Sequence, residues 1–183
     1  DFFQGVLPAE IKRSINFATL TETTEEYVDE KLKKYFSDLI FSCRYKGSTA
    51  RLALLFEHKS SFPPYPHVQL LRYILNIQEH SIANNHKPPV VIPVVLYHGK
   101  RKWRKKDFSS YLEGYYEKQL HQFVPQFEYI LVDLSTYSEE QIVSGRFTQS
   151  TVKIWLLVQK HIFRPKTLLR RLKNIVQLAI LNS

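Results

Sequence analysis

Two apolar, β-prone segments, Ser37-Asp38-Leu39-Ile40-Phe41-Ser42 and Leu54-Leu55-Phe56-Glu57-His58-Lys59, flank a Gly47-Ser48 pair. Gly-Ser suits a two-residue type II′ hairpin loop. The spacing therefore predicts strands over 38–46 and 49–59 folded back on each other. Centring the loop on Gly47 and Ser48 pairs Lys46 with Thr49, and counting outward pairs Asp38 with Glu57. The two carboxylates would then share a face, with Cβ atoms roughly 5 Å apart. Like charges opposed in this way destabilise a ladder, and a charge in an apolar strand is costly unless compensated.

A divalent cation between the two acids converts that repulsion into ligation. Hard oxygen ligands suit Mg²⁺ or Mn²⁺. Lys59 shares a face with Glu57 because strand side chains alternate with period two. From there it could stabilise developing phosphate charge or help position an attacking water. A purely structural alternative stays open: Asp38 caps a turn, Glu57-His58-Lys59 is a solvated strand end, and Lys59 only neutralises Glu57. A bulge in either strand would break the pairing.

The rest of the chain reads as alternating helix and strand. Residues 1–24 are expected to form an irregular arm with a helical turn near Pro8–Arg13. A first helix is expected over 25–35 and a second over 67–84, separated from the hairpin by a proline-rich loop. Val90–Tyr97 is a continuous apolar run, expected as a central strand covered on both faces, and Phe127–Leu134 as another. A helix is expected over 107–123, and three more over 138–144, 149–163 and 166–181. This order implies an α/β sandwich with a mixed sheet.

Composition narrows the class. In 183 residues the hydrophobic fraction is 44% and the aromatic fraction 14%, so the chain folds and buries a substantial core. The net charge of +9 favours a polyanionic partner, nucleic acid before membrane. Cys43 is the only cysteine, which excludes an internal disulfide and fits a reducing cytoplasm. It should face away from Asp38, into the core. No apolar run is long enough to span a bilayer. Methionine is absent, including at position 1, which fits a piece of a longer reading frame.

Outside the hairpin, Lys100-Arg101-Lys102-Trp103-Arg104-Lys105-Lys106 places six basic residues around one indole. Two readings stand: a phosphate-backbone contact with Trp103 available for stacking, or a solvated loop. His98 is either a proton-transfer group or a satisfied structural histidine. Arg72, in mid-helix, either clamps a phosphate or pairs with a carboxylate. The seven histidines show no zinc-ligand spacing, and there is no glycine-rich phosphate loop or Gly-x-Ser-x-Gly elbow.

Taken together, Asp38-Leu-Ile-Phe-Ser, Glu57-His58-Lys59-Ser60, Leu70-Leu71-Arg72-Tyr73 and Pro93-Val-Val-Leu-Tyr97-His98-Gly99 with Trp103 resemble the recombination-promoting nuclease family. These bacterial proteins are also labelled “putative transposases”, of the PD-(D/E)XK superfamily. The resemblance covers most of residues 1–135. It implies a restriction-endonuclease-like three-layer core, with a mixed sheet flanked by helices, over 1–135, and leaves 136–183 as a helical C-terminal extension packed on that core. It also implies Mg²⁺-dependent DNA cleavage linked to recombination or mobile DNA. By the same resemblance Asp38 and Glu57 are the metal-binding acids, Lys59 the catalytic lysine and Glu30 an auxiliary acid. Members commonly show Glu-His-Gln-Ser; Lys59 here is closer to the wider superfamily's Glu-x-Lys.

The expectation is a cytoplasmic, metal-dependent endodeoxyribonuclease acting on DNA, with Arg72, Lys100, Arg101, Lys102, Trp103 and Arg104 as DNA contacts. The alternative is a catalytically silent nucleic-acid-binding or recruitment module on the same fold. A third reading is an interaction domain whose helical C-terminus forms a homodimer.

Overall fold

The computed structural model describes residues 1–23, 36–57, 64–113 and 117–180. Among these, two short helices, α1 (Phe2–Val6) and α2 (Ala9–Lys12), precede strand β1 (Ile15–Glu22). Strands β2 (Phe36–Tyr45) and β3 (Ser48–Glu57) form the hairpin, followed by helix α3 (Pro66–Ala83) and strand β4 (Val90–Tyr97). Two 3-10 helices (Phe108–Tyr111, Lys118–Phe123) lead to strand β5 (Ile130–Asp133), then to helices α4 (Glu139–Val143), α5 (Ser150–His161) and α6 (Pro165–Ile180). The first expected helix, 25–35, lies outside the described residues.

The five strands form one sheet in the order β1-β2-β3-β4-β5. The β1–β2 and β2–β3 pairs are antiparallel, and the β3–β4 and β4–β5 pairs are parallel. The mixed α/β architecture expected from the sequence is thus present. One face carries α3, whose Leu70, Tyr73 and Ile77 pack on Ile40, Val91, Val95 and Tyr97. The other face buries Cys43, Val94, Leu96 and Val132 against Phe3, Ile142, Phe147, Leu156 and Leu157. Burying side chains of this size stabilises by about 1.5–3 kcal/mol each. Because β4 is covered on both faces, its apolar run is continuous rather than alternating. Its Pro93 is tolerated where the strand has a partner on one side only: the β5 ladder begins one residue on, at Val94.

Three expectations need correction. Residues 15–22 are a strand, not part of an irregular arm. Between the Asn16–Arg44 and Thr21–Ser42 pairs, β1 carries extra residues in a bulge, which destroys the period-two pattern. The bulge is held by Thr19, whose hydroxyl accepts the Arg44 amide at 2.9 Å and donates to the Asn16 carbonyl at 2.6 Å. Residues 107–123 do not form one helix. Ser109, Ser110 and Gly114 are poor helix formers, and the Ser110 hydroxyl donates to the Asp107 carbonyl at 2.7 Å, closing a tighter turn. The third correction concerns the hairpin register, which decides the site.

Candidate nuclease site

The hairpin turns on Lys46 and Gly47, not on Gly47 and Ser48. Both have positive φ, 47° and 82°, the signature of a type I′ loop, and Tyr45 pairs with Ser48. Two bonds hold the loop: the Lys46 amide donates to the Ser14 carbonyl at 3.0 Å, and Arg44 Nη1 donates to the Gly47 carbonyl at 3.2 Å. A Cβ on Gly47 would meet nothing, so glycine is required there for its backbone alone.

As a result Asp38 stands opposite Leu55, and Glu57 stands opposite Phe36. The expected direct Asp38–Glu57 pair does not form. No bulge interrupts the ladder between them; the turn alone moved the register by two residues. A two-residue slip keeps every position on its original face, whereas a one-residue slip would flip them all. Asp38 and Glu57 therefore still occupy positions on one face, as diagonal neighbours across the ladder. It is the face that carries α3, since Ile40 and Val95, at positions of the same parity, pack there.

Glu57, Tyr97 and Asp133 are the last residues of β3, β4 and β5, and they pair in one row across the sheet. The carboxyl ends of adjacent parallel strands are where open α/β sheets place their ligands. Asp133 escaped the sequence reading; its only local signal is an acid at the end of an apolar run. It is buried, its Oδ2 accepts the Trp103 amide at 2.8 Å and its Oδ1 accepts the Ser135 amide at 2.9 Å. Tyr97 lies edge-on to Trp103, with ring centroids 5.1 Å apart.

Those contacts fix the basic segment after β4. Trp103 is 4% exposed, so its indole packs against Tyr97 rather than being available for stacking. Lys105 is committed inward: it donates to Glu128 and to the Tyr129 carbonyl and lies 4.5 Å from the Tyr129 ring centroid. Burial pushes the Tyr129 phenol well above its ordinary range. Lys100, Arg101, Lys102 and Arg104 remain exposed. Arg101, Lys102, Arg104 and Lys106 line a groove of about 680 Å³ whose other walls include Pro64, Pro66 and Tyr111. Its aromatic lining is the edge of the packed Trp103 and Tyr111, whose ring contacts Tyr65 at 6.0 Å between centroids; the sequence singled out neither tyrosine.

Beneath this edge His67 is buried among Phe108, Tyr111, Phe127 and Tyr129. Burial first, then the Lys105 charge, lowers its pKa. His98 is buried and stacked on Phe163. Arg72 is exposed on the outward side of α3 and does not line the groove. Glu30 and Lys59 lie outside the described residues. Among the described residues no group of three or more His, Cys, Asp or Glu could hold a metal ion, and no helix is long and apolar enough to cross a membrane. Asp38 and Glu57 do fit a hard divalent ion in donor type and in sharing one face.

The model of the family described as “Putative transposase, YhgA-like” matches residues 1–182. The chain belongs to that family. The match includes the C-terminal helices, for which the sequence offered no motif. The chain is 26% identical over 179 residues to the recombination-promoting nuclease RpnC of Escherichia coli K12, covering 97% of this chain and 58% of that protein. It is 25% identical over 185 residues to the recombination-promoting nuclease RpnD of Escherichia coli O157:H7, covering 98% and 68%. It is 24% identical over 181 residues to the inactive recombination-promoting nuclease-like protein RpnE of Escherichia coli K12, covering 98% and 58%. The chain thus spans little more than half the length of several curated relatives. No solved structure matches it.

Proposed function

We propose that this chain is a divalent-metal-dependent endodeoxyribonuclease module with a restriction-endonuclease-like PD-(D/E)XK core, serving recombination or mobile DNA. The observation that carries the reading is the shared face of Asp38 and Glu57 at the carboxyl edge of the sheet. The exposed cations lie in the segment that follows β4, the strand paired with β3. The names of RpnC and RpnD support a nuclease over other chemistries on such an edge.

In this reading Asp38, Glu57 and the backbone carbonyl of His58 would hold Mg²⁺ or Mn²⁺, which when bound would supply Lewis-acid activation of water and charge neutralisation on a phosphodiester. Lys59 orients the nucleophile or the phosphate, and Glu30 is the auxiliary acid. Lys100, Arg101, Lys102 and Arg104 hold the DNA backbone through phosphates, independently of sequence. Nicking of supercoiled plasmid in Mg²⁺, abolished by EDTA and by Asp38→Ala, tests the reading. Undiminished nicking by Asp38→Ala would overturn it.

A second reading has its own observation: a relative matched over the same span bears the name of an inactive protein. There the chain is a DNA-binding module that keeps the nuclease fold, and it binds DNA in a salt-sensitive manner without turnover in either metal.

A further inference from the structure

The outward side of α3 carries an apolar line that no described residue buries. Val68, Leu75 and Ile82 recur every seven residues and are 44%, 47% and 56% exposed. Seven residues is close to two helical turns, so the three lie nearly above one another along the helix. Arg72 and Glu79, also seven apart, both flank this line on the same side and are both exposed. Neither has an ion-pair partner among the described residues. The buried positions of α3, Leu70, Tyr73, Ile77 and Ser81, occupy the opposite side, so this face is not spent on the core.

We infer that this face is a homodimer interface, in which α3 of one copy packs antiparallel on α3 of a second copy about a two-fold axis near Leu75. The choice of a second copy rests on charge. A two-fold perpendicular to the helices keeps a flank on the same side and reverses its order along the axis. With Leu75 near the axis, Val68 of one copy comes opposite Ile82 of the other. Arg72 then comes within about one residue rise, ~1.5 Å along the axis, of Glu79 in the other copy. The symmetry repeats that pair, so one cation and one anion per copy are both answered. Any isologous contact must be self-complementary in this way. A parallel pairing, whose two-fold runs along the helices, instead carries this flank to the opposite side of the contact, where neither Arg72 nor Glu79 meets the opposite charge. The helical C-terminus gives no such match: the exposed charged residues of α6 are all basic. Pro66, the first residue of α3, lines the basic groove. The pair therefore carries its two grooves at opposite ends, about 27 Å of helix apart.

In this dimer Arg72 pairs with a carboxylate and not with a phosphate. The inference does not depend on the nuclease reading. The test is sedimentation of the full chain from about 1 to 100 μM, the range in which a small interface of this kind associates. Wild type should dimerise, and Leu75→Asp, a solvent-facing change on a helix held by its other side, should be monomeric with an unaltered circular dichroism spectrum. Arg72→Glu and Glu79→Arg should each weaken dimerisation about tenfold, and the double exchange should restore it to within about threefold of wild type. Leu169→Asp, on the exposed side of α6, should leave the dimer intact. A wild type that stays monomeric throughout overturns the inference. So does a dimer that survives Leu75→Asp, one lost only with Leu169→Asp, or a double exchange that fails to rescue.

Discussion

The buried carboxylate of Asp133 accepts the backbone amide of Trp103 at 2.8 Å across 30 residues of sequence. Its second oxygen holds the Ser135 amide, so one side chain ties the basic segment to the end of β5. Asp133→Ala would leave both amides without that acceptor, at a cost of about 3 kcal/mol. Asp133→Asn keeps one acceptor oxygen and should cost about half as much. Urea unfolding checks the stabilities. Filter binding should show Asp133→Ala losing DNA affinity because Arg101, Lys102 and Arg104 are no longer held together.

Gly99 is needed because the Tyr97 ring folds over it: a Cβ there would collide with the Tyr97 hydroxyl and ring. Gly99→Ala should displace Tyr97 from the edge of Trp103 and cost about 1–3 kcal/mol, as overpacking does. Trp103 fluorescence read in a Trp155→Phe background should change in Gly99→Ala and stay constant in Gly47→Ala.

Lys46 sits at φ 47°, a conformation that favours asparagine or glycine over lysine. Lys46→Asn creates an Asn-Gly type I′ loop and should stabilise by about 0.5–1 kcal/mol, raising Tm by roughly 1–4 °C for a chain of this size. Gly47→Ala should destabilise by more than that. A turn centred on Gly47 and Ser48 would give the opposite result for Lys46→Asn, little or no gain.

These turn residues show how far the sequence could be read. Counting outward from the turn put Asp38 and Glu57 on one face and period two put Cys43 on the other, and a slip of two residues leaves both placements intact. The pairing partner was not legible, because registers two residues apart satisfy the same alternation and only the turn chooses between them. The choice rests on a lysine in a left-handed conformation and on a bond to Ser14, neither visible in local propensity. Strand β1 was hidden by its bulge. Trp103 read as exposed because six cations surround it, whereas its burial is imposed by Tyr97 and by the distant Asp133. The long, strongly patterned elements α3, β4, α5 and α6 were legible because packing and propensity agree there.

Two buried histidines give the fold an acid-sensitive limb. Burial lowers the pKa of His67, and of His161 against the opposing pull of Glu139, below the ordinary 6.5. In that window the unfolded chain binds protons that the folded chain refuses, so stability is full above about pH 6.5 and falls as pH drops below it. Each histidine contributes a slope of at most about 1.4 kcal/mol per pH unit, which fades once the folded state also protonates. His67→Phe, in a site already lined by four aromatic rings, should shed one histidine's share of the slope. Tm measured between pH 7.5 and 5.5 decides this, and an unchanged slope would contradict it.

In the proposed reading, two acids on one sheet face make a metal-dependent nuclease. The most direct measurement is plasmid nicking at fixed Mg²⁺ by wild type, Asp38→Ala and Glu57→Ala, with DNA affinity and unfolding measured on the same samples. Wild type should nick only when the divalent ion is present. Each variant should lose at least about a hundredfold in rate, the scale for losing a group that holds a catalytic ion, while keeping its fold and DNA affinity. Nicking at the wild-type rate by both variants, or no nicking by wild type in Mg²⁺ or Mn²⁺ despite DNA binding, would contradict the claim.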